Sequence, residues 1–223
     1  VNTLDIIVYD FETGGLKAGW HEAIQIAGKA YNGRTLEPYP EGEFCSLMKP
    51  EHPERLDDGA LKVNGKTREE LAKAPDQKAA WLSFVEWVNR FNLKRNTFGA
   101  PIAAGYNIRN FDSAFVNVLN KKHGPKKDKT LLFNTYRDYD LKDDLFRWFR
   151  WNEELVNEKL DTVRAYFGLS LEGAHDALVD VRQTGELMVR FLSLYRTLGM
   201  RPGKDGQGKF IKFKNCCART PAA

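Results

Sequence analysis

Residues Ile6 to Gly15 read IIVYDFETGG. An apolar run rich in β-branched and aromatic side chains suits a strand in the dry middle of a sheet, so the chain must build covered layers around it. The same run ends in Asp10 and Glu12, two positions apart, and on a strand that spacing projects both side chains from one face. Two carboxylates so placed repel, and partial desolvation raises one pKa unless a proton or a cation intervenes. The pair is a shared-proton dyad, half of a metal site, or a strand end running out into solvent, where acids are common.

The rest of the chain limits the fold further. Two more β-rich stretches, AIQIAGKAYNG and EGEFCSLMKP, are set off by Gly, Pro and Asn, and with the first they predict an antiparallel meander. From Ala79 to Phe91 the period turns helical, with Trp81, Phe84, Val85, Val88 and Phe91 on one stripe. APIAAGYN predicts a short buried strand, and FDSAFVNVLNKKHGP a helix bearing Phe111, Phe115, Val116 and Leu119. Between Lys126 and Glu158 only LKDDLFRWFRW has a clear helical pattern, and a long helix is expected from Asp176 to about Leu198. A meander followed by alternating helix and strand predicts an α/β domain of the ribonuclease H-like type, a mixed β-sheet with an antiparallel meander and parallel strands, flanked by helices.

Lys and Arg total 34 against 30 for Asp and Glu, a formal charge of +4, which suits a polyanionic partner without requiring one. Cys45, Cys216 and Cys217 have no CxxC spacing and offer no disulfide framework, which points to a reducing compartment. No stretch approaches a membrane span, and the N-terminal apolar run is short and interrupted by Asp5, unlike a signal peptide. The expectation is a soluble, intracellular, cytoplasmic protein with no membrane partner.

Two later stretches bear on the acid pair. GYNIRNFDSAF puts Asp112 in the first turn of a helix after a buried strand, where a carboxylate also meets the positive end of the helix dipole. GAHDALVDVRQTGEL puts His175 before Asp180, and Asp180 falls at the flank of the helix's apolar stripe rather than opposite it. Solvated helix acids normally avoid that position.

Asp10 with Glu12, then Asn107 to Asp112 as N-x-x-x-F-D, then His175 to Asp180 as H-x-x-x-x-D, resemble the three motifs of the DEDDh, or DnaQ-like, 3′ to 5′ exonucleases. The resemblance runs from about Leu4 to Leu194 and takes in LKVNGKTREELAKAP and KLDTVRAYFGL; GYN before FD is similar to the exonuclease I branch. The expectation is an exonuclease domain over residues 1–200, followed at 201–223 by a basic tail whose Gly- and Lys-rich composition predicts poor order. The family's first motif usually reads D-T-E-T-T-G, whereas this chain has Phe11 and Gly14 in the second and fifth places. Neither change touches a metal ligand, though both adjoin the expected seat of the terminal nucleotide.

The resemblance implies two divalent ions, Mg²⁺ or Mn²⁺, held by Asp10, Glu12, Asp112 and Asp180, with Glu12 reaching both. It implies His175 as general base, and imidazole's pKa near neutrality suits that task. Phe11 and Thr13 would receive the 3′ end through their backbone, and Leu16 either packs on the terminal bases or is a buried turn residue. Asn107 would position the helix carrying Asp112, with Phe111 in the core. The implied activity is release of 5′-mononucleotides from a free 3′ end, with single-stranded DNA the favoured nucleic-acid partner. An exoribonuclease or a silent nucleic-acid-binding module on the same fold are the alternatives.

Other features admit two readings. Lys121, Lys122, Lys126, Lys127 and Lys129 could follow a phosphate backbone, but lysine runs are usually solvated loops. Arg147 and Arg150 alternate with aromatics that can stack bases, although core packing of Trp148 or Phe149 is the expectation. Lys209, Lys212 and Lys214 would add diffuse attraction or nothing. A haloacid dehalogenase-type phosphatase would want Asp where Glu12 stands and has no use for His175 and Asp180.

Overall fold

Strand β1, Ile6–Thr13, is apolar on both faces along its first half and takes the centre of a five-stranded sheet. The computed structural model describes residues 3–94, 96, 98–124 and 132–199. On one side of β1 lie β2, Ala23–Tyr31, and β3, Pro38–Leu47, both paired antiparallel, with Asp10 opposite Ala27 and Glu12 opposite Gln25. On the other side β4, Ile102–Gly105, and β5, Asp138–Asp140, run parallel, giving the order β3-β2-β1-β4-β5. This is the mixed, helix-flanked sheet of the ribonuclease H-like class.

Helices α1, Asp58–Asn64, α2, Arg68–Ala72, and α3, Gln77–Asn89, connect β3 to β4. Helix α4, Asp112–His123, follows β4, and α5, Leu141–Trp148, α6, Leu160–Tyr166, and α7, Ala177–Gly199, follow β5. Ile7, Tyr9 and Phe11 share a buried cluster with Trp81, Phe84 and Trp87 of α3 and Phe115 of α4. A Cβ on Gly28 of β2 would stand 2.7 Å from the Trp87 ring, so the bare backbone there is what lets α3 settle on the sheet. The helical stripe read from the sequence omits Trp87, which is buried as well.

Residues Val1–Gly185 form one compact unit, and the remainder of α7 belongs to a second beginning at Glu186. Within that second unit Arg190 pairs with Glu186 one turn away, and Phe191 stacks on Tyr195. Among the described residues no helix is long and apolar enough to cross a membrane. The tail at 201–223, with Lys209, Lys212, Lys214, Cys216 and Cys217, lies outside the described residues, as do Lys126, Lys127 and Lys129.

The expectation that Trp148 or Phe149 packs inward is met by one of the two. Trp148 is 60% exposed, and so are Phe146 and Trp151 in large part, with the Arg150 guanidinium over the rings of the latter two. Only Phe149 turns inward, edge-on to Tyr166 and Phe167. Helix α5 is eight residues long and ends at Trp148, so the aromatic run outlasts the helix that was to bury it.

Candidate active site

Asp10 and Glu12 leave the same face of β1, just before a bulge between Glu12 and Thr13 that ends the regular pairing. Asp180 meets them from the first turn of α7, and one carboxylate oxygen from each of the three lies within 4.8 Å of the others. Asp112, the first residue of α4, is 2% exposed, and its Oδ1 accepts the Phe11 N–H at 3.1 Å. That bond ties the fourth acid to the strand between the first two. All four acids and His175 line one open cleft of about 380 Å³.

Crowding and burial set the electrostatics. Burial first, then the charges of Asp112 and Glu12, push the Asp10 carboxyl well above its ordinary range. Burial and Asp180 raise Glu12 to about 8, with Lys66 pulling the other way. Burial raises Asp112 to about 7 against the bond from Phe11, and raises Asp180 to about 6 against the attraction of Arg164. Left bare, the cluster would hold protons near neutrality. A divalent cation at the convergence of the carboxylates would replace those protons, and an all-oxygen donor set is what a hard cation takes.

The supporting groups are ones the sequence did not single out. Asp140, at the end of β5, accepts the backbone N–H groups of Asn107, at 2.8 Å, and Arg109, at 3.0 Å, while capping α5. Asn107 stands on left-handed backbone at φ 61°, and its carbonyl accepts from Asn110 and Phe111, so this loop delivers Asp112 to the cleft through backbone bonds. Arg164, wholly buried, donates to Asp180 Oδ1 at 2.7 Å. Lys66 pairs with Asp176 Oδ2 at 3.2 Å, and the other Asp176 oxygen accepts from Leu178 N at the start of α7. An Asp directly before a helical run is a capping signal, and Asp176 carried it unread.

His175 lies half-exposed on the cleft, with Nε2 3.6 Å from Asp161 Oδ2. Its φ of 65° is left-handed, uncommon away from glycine and frequent where function holds the backbone in place.

A second hollow of about 490 Å³ shares Phe11, Glu12 and Phe111 with the first and adds Thr13, Leu16 and Val63. Leu16 is 84% exposed at its rim, which removes the buried-turn alternative. The Thr13 hydroxyl donates to the Gly15 carbonyl, and the Thr13 carbonyl accepts from Asn64. Phe11 buries its ring in the core beside Phe115 while its N–H is held by Asp112. A Cβ on Gly14 would come 2.5 Å from the end of the Leu56 side chain, which would have to shift. Of the lysine run, Lys122 pairs with Glu51 at 2.8 Å and Glu22 at 3.5 Å, so its charge is largely compensated.

A family model described as an exonuclease, RNase T, matches residues 7–188. The chain belongs to this exonuclease family. The family consists of nuclease hydrolases that generally use divalent metal ions, and in this member Asp10, Glu12 and Asp180 converge in a group that could hold one. The chain is similar to the PolC-type DNA polymerase III of Bacillus cereus, 27% identical over 187 residues, which are 83% of this chain and 11% of that protein. The PolC-type DNA polymerase III of Listeria innocua is 29% identical over 182 residues, 81% of this chain and 11% of the other. The chain thus spans about a ninth of the length of these relatives. In fold it is similar to exonuclease I, with a TM-score of 0.67 at 18% identity over 90% of this chain and 44% of that one. E. coli exonuclease I in complex with a dT13 oligonucleotide aligns with a TM-score of 0.66 at 19% identity over the same shares.

Proposed function

We propose that this exonuclease-family chain removes 5′-mononucleotides one at a time from the free 3′ end of single-stranded DNA, using two Mg²⁺ or Mn²⁺ ions. The observation that carries this reading is the convergence of Asp10, Glu12 and Asp180, with Asp112 beside them, in a cleft that also holds His175. Asp10, Glu12 and Asp180 would hold one ion, with Glu12 shared, and Asp112 would help hold the second. When bound, such ions neutralise the phosphate, activate a water and stabilise the leaving oxygen.

The chain's own groups do the rest. His175 takes the proton of the attacking water on its imidazole, whose Nε2 stands 3.6 Å from Asp161 Oδ2. Asp140 and Asn107 hold the loop that keeps Asp112 in place. Phe111 and the exposed Leu16 line the adjoining hollow, where a terminal base and sugar fit against apolar side chains. The lean to single-stranded DNA draws on the likeness to exonuclease I, whose solved complexes hold dT13 and dA16 oligonucleotides.

The test is end polarity. A 5′-labelled single strand with a free 3′-hydroxyl is expected to give a stepwise ladder in Mg²⁺. The same strand with a 3′-phosphate is expected to give little product, because an added dianion crowds the sugar site and displaces the scissile bond. Equal cutting of a closed circular single strand would overturn the exonucleolytic reading, and faster degradation of the matching RNA would move the substrate to RNA.

His175→Ala is expected to lose about 10² to 10⁴ in turnover, the usual scale for a general base. Calorimetric titration of Mn²⁺ should show affinity near that of the wild type. Loss of ion binding together with activity would make His175 a ligand instead.

A further inference from the structure

Arg164 of α6 has no exposed surface at all. A guanidinium is carried into a protein interior only where its donors are met, and here they are met by Asp180 on one side and by carbonyls of the loop before His175 on the other. Nη1 donates to Asp180 Oδ1 at 2.7 Å and stands 3.8 Å from Asp161 Oδ1. Nε donates to the Ser170 carbonyl at 3.0 Å, and Nη2 donates to the carbonyls of Ser170 and Glu172. The other oxygen of Asp161 is the one that faces His175 Nε2 at 3.6 Å.

We propose that Arg164 is a positioning residue for catalysis, one planar fork that fixes the direction of the Asp180 carboxylate and, through Asp161 and the Ser170–Glu172 loop, the place of His175. This rests on the proposed function. A rigid guanidinium can hold a carboxylate and two carbonyls at once, whereas an ammonium on a flexible stem meets the carboxylate alone. The two loop carbonyls satisfy the buried Nε and Nη2 donors and by the same bonds tie the Ser170–Glu172 loop to the group that holds Asp180. His175 stands three residues beyond Glu172 on left-handed backbone, so a loop released at Ser170 and Glu172 passes its displacement directly to the histidine.

The experiment compares wild type, Arg164→Ala and Arg164→Lys in three measurements: Mn²⁺ binding by calorimetry without nucleic acid, thermal melting, and steady-state cleavage of a 5′-labelled oligo-dT. In Arg164→Ala the Mn²⁺ affinity is expected to fall about ten- to a hundredfold, the usual cost of losing a group that orients a metal ligand. Its kcat should fall while KM for the oligonucleotide holds. Arg164→Lys, which keeps the buried charge if the alanine variant does not fold, is expected to recover part of the Mn²⁺ affinity but not the kcat. A variant that melts earlier yet binds Mn²⁺ and turns over like wild type would show a purely structural arginine and overturn the proposal. If wild type itself neither bound Mn²⁺ nor cleaved the oligonucleotide, the functional reading beneath it would fall first.

Discussion

Asp180→Asn is expected to lose about 10⁴-fold or more in nuclease turnover, on the order of 5–6 kcal/mol of transition-state stabilisation, while the chain stays folded. Asparagine keeps the size, and its carbonyl oxygen can still accept from Arg164, whose Nη1 now meets Asp180 Oδ1 at 2.7 Å. What vanishes is the charge. A buried guanidinium facing a neutral amide is a cost, but Asp161 remains 3.8 Å from the same nitrogen to offset part of it. At the same time Glu12 and Asp10 are relieved of a repelling neighbour. Stability therefore changes little, and the whole effect should fall on cation binding and turnover. Far-ultraviolet circular dichroism beside a nuclease assay distinguishes the cases: a folded variant with near-normal activity would reduce Asp180 to a bystander and leave the cluster without its third acid.

How far the sequence reached depends on what each segment had to bury. Strands β1 and β2 and helices α3 and α4 were legible because each buries apolar side chains in the core, and periodicity reports that burial, whereas β3, which buries little, was marked by the turn residues around it. Strand β5 was not legible, because its residues are Asp138, Tyr139 and Asp140, an edge strand of three with no apolar alternation. Its position is set by β4 and by Arg109, which reaches Asp138 and Asp143. Helices α1 and α2 are too short to show a period, yet their caps were written in the chain. Asp57 accepts from Ala60, Gly65 takes left-handed backbone at φ 63°, and Thr67 with Glu70 has the spacing of a capping box. The same division holds at the site. Acids that repel across one strand face announce themselves, whereas Arg164, Asp161 and Asp140 act on partners distant in the chain, and no local pattern encodes a partner that only folding supplies.

Removing divalent ions is expected to stop turnover entirely and, above about pH 6, to weaken the fold itself. The sign comes from the carboxyls. Glu12 at about 8, Asp112 at about 7 and Asp180 at about 6 all lie above their ordinary values of 4.5, 3.8 and 3.8. Between those limits the folded chain binds more protons than the unfolded one, so stability is fully present below about pH 4 and is lost as pH rises through each folded value. Glu12 alone, moving from 4.5 to about 8, costs the metal-free fold on the order of 5 kcal/mol by the alkaline end. That is a large share of the roughly 5–15 kcal/mol that holds a domain together. Glu43, drawn down to about 2 by Arg182 and Lys29, has the opposite sign, but its contribution is lost only as pH falls below the carboxylate range, outside this window. Cations that bind the ionised cluster reverse the loss, since a ligand of the folded state alone stabilises it by mass action. Melting curves in EDTA should therefore fall with pH from about 4 to 8, and at the alkaline end Mg²⁺ should raise the midpoint by about 10 °C or more for a chain of this size. Superimposable melts with EDTA and Mg²⁺ across that range would mean that the four acids neither hold protons when bare nor bind a cation, and the proposed metal centre would have to be abandoned.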